Sequence, residues 1–126
     1  MGESVSITTP DGAFSAYVAR PAAAKAPTIV VIQEIFGVNA VMRGIADGFA
    51  GKGFLAICPD LFWRIEPGVD ITDQSEAEWK KAFELYNAFD VDLGVKDIAA
   101  AIAFARAAPE PVWADAEGAV YTDAAP

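Results

Sequence analysis

Residues 28–46 read TIVVIQEIFGVNAVMRGIA, and the rest of the chain is understood outward from them. An apolar, largely β-branched run, Thr28 to Gln33, stops at a lone carboxylate, Glu34. A short turn through Gly37 follows, and Asn39 opens an amphipathic segment. A continuous apolar run of this kind predicts a strand buried on both faces of a parallel sheet. Asn is a preferred helix N-cap, because its side-chain oxygen accepts a backbone N–H of the first turn. Strand, turn and helix, with an acid at the carboxyl end of the strand, is how α/β proteins present chemistry.

Upstream, SVSITT (4–9) alternates Val5 and Ile7 with polar residues, TPDG (9–12) signals a turn, and AFSAYVAR (13–20) returns in strand phase. These segments predict an antiparallel hairpin, and residues 21–27 a loop. Downstream, Val41, Ile45 and Phe49 share one helix face, and GKG (51–53) ends that helix. FLAIC (54–58) predicts a second buried strand, stopped by Pro59, so strand, helix and strand form a parallel crossover. In SEAEWKKAFELYNAF (75–89), Ser75 and Glu78 make a capping-box pattern, and Trp79, Phe83 and Tyr86 share a face. From Asp90, the residues Val91, Val95, Ile98, Ile102 and Ala105 recur in steps of 4, 3, 4 and 3, predicting a long buried stripe. After Ala108 the pattern changes. Residues 109–126 are Ala- and Pro-rich, acidic and without a basic residue, with GAVY (118–121) as a short strand candidate. The expected organisation is one α/β domain over 1–108 and a separate tail over 109–126.

The 126 residues fit one domain, and a hydrophobic content of 54% excludes a disordered chain. A formal charge of −9 repels phosphate backbones and anionic lipid, so neither nucleic acid nor a membrane is an expected partner. One cysteine gives no disulfide framework and no metal-ligand spacing, which suits a reducing cytoplasm; no cofactor or metal is expected. The segment MGESVSITTPDG lacks the basic and apolar regions of a signal peptide, and the apolar run Ile98–Ala105 is too short to span a bilayer.

With those elements placed, QEIFGVNAVMR (33–43) closely resembles the dienelactone hydrolase (carboxymethylenebutenolidase) family of α/β-hydrolases. The resemblance continues in order through CPDLFWR (58–64), PG (67–68), LYNAFD (85–90) and GVKDIAAAIAFAR (94–106), covering about residues 4–108. It implies the N-terminal half of an α/β-hydrolase sheet and hydrolysis of lactone or ester bonds in small carboxylic substrates. In the family, a Cys on a G-x-C-x-G-G elbow attacks, a His acts as base and an Asp orients it. By the same resemblance, Glu34 is the carboxylate that contacts the nucleophilic thiol and governs its ionisation. Ile35 lends its backbone N–H to the oxyanion hole. Where some members hold the substrate carboxylate with an Arg, this chain has Trp79.

The chain departs from the family at the chemistry itself. No glycine-flanked Cys or Ser elbow occurs, and there is no histidine. Neither a Ser-His-Asp nor a Cys-His arrangement can therefore be assembled within it. The expectation is a catalytically incomplete chain: one half of a split hydrolase, a non-catalytic interaction domain, or a truncated or frameshifted reading frame. Ending the sheet early exposes Thr28–Ile32 as an apolar edge, open to self-association or to a second chain. Other candidates have plainer readings. Cys58 reads as a small buried hydrophobe and Asp60 as a cap for its loop rather than an acid/base partner of Glu34. Arg43 and Arg64 read as surface pairs, and Trp79 and Phe83 as core.

Overall fold

The computed structural model describes residues 2–22, 26–106, 112–114 and 120–122, the last two segments as backbone. Strand β1 (Gly2–Thr9) and strand β2 (Gly12–Ala19) form the predicted hairpin, with Thr9 opposite Gly12 and Ile7 opposite Phe14. The Thr9 hydroxyl closes the turn, accepting the Asp11 N–H at 3.1 Å and donating to the Gly12 carbonyl at 2.8 Å. β2 pairs antiparallel with β4 (Leu55–Pro59), and β4 pairs parallel with β3 (Ala26–Val30). Helix α1 (Ala40–Gly51) makes the crossover between β3 and β4. Two further helices follow, α2 (Glu76–Ala88) and α3 (Val91–Arg106). Short strands β5 (Val112–Ala114) and β6 (Val120–Thr122) complete a sheet of order β1-β2-β4-β3-β6-β5.

Every residue of β4 is buried, and its alternation divides the core in two. Leu55 and Ile57 join Ile7, Phe14, Ala16, Val18 and Ala101 of α3 on one side. Ala56 and Cys58 join Ala19, Val31, Met42 and Ala46 of α1 on the other. The sheet is thus covered on both faces, as its apolar strands require.

Four helix and strand expectations need correction. β3 spans Ala26–Val30 rather than Thr28–Gln33. The last bond toward β4 runs from the Val31 N–H to the Ile57 carbonyl at 2.8 Å, after which the chain peels away into the turn. In α1 the buried residues are Met42 and Ala46, while Val41 is 61% exposed. The buried Asn39 cap sets that rotation: it accepts the Met42 N–H at 3.1 Å and donates to the Ile71 carbonyl at 2.8 Å. In α3 the residues facing the sheet are Gly94, Asp97, Ala101 and Ala105, so of the predicted stripe only Ala105 is fully buried. Small residues let the helix approach closely, and a Cβ at Gly94 would overlap the Phe89 ring. On α2, Ala82 and Leu85 are buried, whereas Trp79, Phe83 and Tyr86 are exposed.

β6 falls on the GAVY candidate and pairs antiparallel with the start of β3, Ala26 opposite Thr122 and Pro27 opposite Tyr121. The remaining tail residues, on which the expectation of a separate unit also falls, lie outside the described residues.

Candidate active site

The carboxyl ends of β3 and β4 carry two loops, and each is locked by its own side chains. In the first, the Gln33 carboxamide accepts the Leu61 N–H at 2.8 Å and donates to the Glu34 carbonyl at 3.0 Å, joining the two loops. Gly37 has φ +80, and a Cβ there would overlap the Val69 carbonyl oxygen, so glycine alone fits. That contact places Gly37 in a bridge with Asp70, and the Phe36 carbonyl accepts the Ile71 N–H at 3.1 Å. The turn Glu34-Ile35-Phe36 is therefore clamped on both sides.

In the second loop, the buried Asp60 carboxylate accepts the N–H groups of Phe62 at 3.1 Å and Gly68 at 2.9 Å. Burial pushes its pKa up, and those two hydrogen bonds partly offset the rise. Asp60 is thus the loop cap read from the sequence. It lines a different cavity from Glu34, so the two do not form an acid/base pair there. Arg43 is likewise committed, donating to the Val38 carbonyl at 2.7 Å and pairing with Asp70 at 3.0 Å.

Above the turn lies an apolar groove of about 280 Å³ bounded by Ile32, Ile35, Phe62, Val95 and Ile98. Glu34 is exposed at its wall and is the one charged residue lining it among the described residues. Ile35 is half-buried against Phe62, Val69 and Leu85, which orients its backbone, and among the described residues its N–H donates to no acceptor. Beside the turn, Trp79 meets Phe36 edge-on at 5.2 Å and stacks on Phe83 at 5.6 Å, while its indole N–H donates to the Asp73 carbonyl at 2.9 Å. The Trp79–Phe83 pair is therefore an exposed ledge, not core.

Cys58 packs in the core on the α1 side, and burial together with the nearby Asp60 pushes its thiol up to about 11. A protonated, enclosed thiol is not a nucleophile at neutral pH. No cluster of three or more metal-ligating side chains occurs among the described residues, and no described helix is long and apolar enough to cross a membrane.

The sequence reading missed one network. Asp97, at 1% exposure, accepts the Trp63 indole N–H at 2.9 Å and the Arg64 guanidinium at 2.9 and 3.0 Å. Arg64 also pairs with Asp11 at 2.9 Å and lies over the Trp63 ring at 4.7 Å. Both carboxylates raise its pKa, so it stays charged. This network ties the hairpin turn, the residues after β4 and α3 together, which holds Leu61 and Phe62 against the groove. An acid beyond the first turn of a largely apolar helix, Asp97 just before the run Ile98–Ala105, was the available signal.

A model of the dienelactone hydrolase family matches residues 14–113, which includes every element that builds the groove. The chain belongs to the dienelactone hydrolase family. Its sheet and helices are those of an α/β-hydrolase fold. A crystal structure of a provisionally named dienelactone hydrolase from Klebsiella pneumoniae superposes with a TM-score of 0.71 at 27% identity, covering 86% of this chain and 44% of that one. Carboxymethylenebutenolidase from Pseudomonas putida is 46% identical over 108 residues, 85% of this chain and 46% of that protein. A provisionally named carboxymethylenebutenolidase from Azospirillum brasilense is 64% identical over 83 residues, 65% of this chain and 36% of that protein. The chain thus spans less than half the length of these dienelactone hydrolase relatives.

Proposed function

We propose that this chain supplies the oxyanion-binding and substrate-facing part of an ester or lactone hydrolase of the dienelactone type. The observation that carries the reading is the clamped turn Glu34-Ile35-Phe36, set at the carboxyl ends of two parallel strands and open to an apolar groove. Attack on an ester carbonyl moves the π electron pair onto oxygen, and the tetrahedral intermediate carries a full negative charge there. The Ile35 N–H, held by the packing of its side chain, donates to that oxygen; one such donor is worth roughly 100- to 1,000-fold in rate. Glu34, adjacent and exposed at the groove wall, faces the attacking thiol and governs its ionisation, so that ionisation is controlled by what enters the groove. The substrates are small neutral or carboxylated esters and lactones, handled in the reducing cytoplasm that a lone unpaired cysteine suits.

Neither an attacking atom nor a proton acceptor of the right kind is available in the 126 residues: there is no histidine, and Cys58 is enclosed. The isolated chain therefore turns over no ester. The test is a chimera in which this chain replaces the matched segment of the Pseudomonas putida relative. The chimera is expected to hydrolyse a lactone, and Ile35→Pro, which removes the N–H, to lower kcat by about 100-fold or more with a smaller effect on KM. An Ile35→Pro chimera with undiminished kcat, or turnover by the isolated chain, would overturn the reading.

A further inference from the structure

The hydrogen bonds that reach the Glu34-Ile35 peptide form a single line of amides. Leu61 donates its N–H to the Gln33 side-chain oxygen, Oε1, at 2.8 Å. A backbone N–H can only donate, so this bond fixes which end of the carboxamide is oxygen. Nε2 is thereby turned toward the Glu34 carbonyl and donates to it at 3.0 Å. The line is anchored at its start, because Leu61 follows Asp60. The buried Asp60 carboxylate accepts the N–H groups of Phe62 at 3.1 Å and Gly68 at 2.9 Å, which holds that loop in place.

The Glu34 carbonyl and the Ile35 N–H belong to one planar peptide unit. In a trans unit the two groups point in opposite directions, so a donor that holds the carbonyl also sets the heading of the N–H. The contacts of Phe36 and Gly37 fix the exit of the turn. Among the described residues, however, Gln33 alone makes a hydrogen bond to the 34–35 peptide unit itself. The Ile35 N–H, at the far end of the line, donates to no acceptor among the described residues. Amides joined in this way polarise one another: each one that accepts at oxygen becomes a better donor at nitrogen.

We propose, resting on the functional reading above, that Gln33 is a positioning residue for ester or lactone hydrolysis. Through the Glu34 carbonyl it aims the Ile35 N–H and strengthens it as a donor to the developing oxyanion. Glutamate is the discriminating replacement. Its carboxylate has the same reach and still accepts the Leu61 N–H, but at neutral pH it has no proton to donate to the Glu34 carbonyl.

The test uses the chimera with the Pseudomonas putida relative. Gln33→Glu is expected to lower kcat for a lactone about 10- to 100-fold, with a smaller effect on KM. In the Ile35→Pro chimera, which has no N–H to aim, the same replacement is expected to lower kcat no further. A residue that only supported the loop would lower it by the same factor in both backgrounds. Independently of turnover, Gln33→Glu in the isotope-labelled 126-residue chain is expected to move the Glu34 carbonyl carbon and Ile35 amide nitrogen resonances upfield, as the peptide loses its polarising donor. Equal factors in the two backgrounds, an unaltered kcat, or Glu34 and Ile35 resonances that stay in place would each overturn the assignment. The expected resonance shifts, together with a chimera that hydrolyses no ester, would support the aiming of the peptide by Gln33 and count instead against the hydrolase reading.

Discussion

At Gly37, φ is +80 and the Val69 carbonyl oxygen occupies the space a Cβ would need, so replacement must move either the turn or the 69–71 segment. Gly37→Ala is expected to cost about 2–3 kcal/mol in urea unfolding and to release the bridge to Asp70, readable as faster amide exchange at Ile71. A loss below about 0.5 kcal/mol would show that the turn is not clamped there. This residue and its neighbours were legible in the sequence because their constraints are local or carried by a family motif. Asn39 caps, Asp60 caps and Glu34 faces the groove, each within a few residues of where the chain turns. Asp97 was not legible in the same way. Its partners Trp63 and Arg64 lie more than thirty positions upstream, and only the fold brings them together.

Among the elements, the start of α2 shows how local capping chemistry survives intact. Glu78 accepts the Thr72 N–H at 2.6 Å and hydroxyl at 2.8 Å, and the Ser75 hydroxyl at 2.9 Å, while Ser75 accepts the Glu78 N–H at 3.2 Å. Those donors lower the Glu78 pKa, with the Thr72 backbone N–H as the largest cause. A depressed folded-state pKa means that the stabilisation is fully present above the ordinary glutamate range and is lost as pH falls through the lowered value. Denaturant midpoints are therefore expected to drop on acidification below about pH 4.5, with Glu78→Gln flattening that part of the profile. An unchanged profile in the variant would assign the dependence to other groups. Helix faces were less legible than helix ends. Periodicity identified α1 and α3 but placed Val41, Val91 and Val95 in the core, because a cap or a buried ion pair sets the rotation and small residues win the close approach. The large apolar side chains that sequence reasoning assigns to the interior, Val41, Val91 and Val95, lie instead on exposed helix faces.

For the molecule as a whole, the strand-helix-strand order and the two-sided burial of β4 followed from apolar runs and turn signals, since a parallel strand has no polar face to confuse the reading. Strand neighbours beyond the crossover were harder. The pairing of β6 with the start of β3 joins residues some ninety positions apart, and GAVY alone carries little to specify it. The enclosed thiol of Cys58 has a consequence at this scale. Because it is the sole sulfhydryl and lies fully buried within β4, a disulfide reagent such as dithiobis(nitrobenzoate) can modify it, releasing thionitrobenzoate, only when the sheet opens. Modification is expected to be slow, to become independent of reagent concentration at high excess, and to accelerate in step with urea. The chain thus carries an intrinsic chemical stopwatch for its own breathing, and anything that binds the closed sheet in preference to the open one would be recorded as that stopwatch running slow.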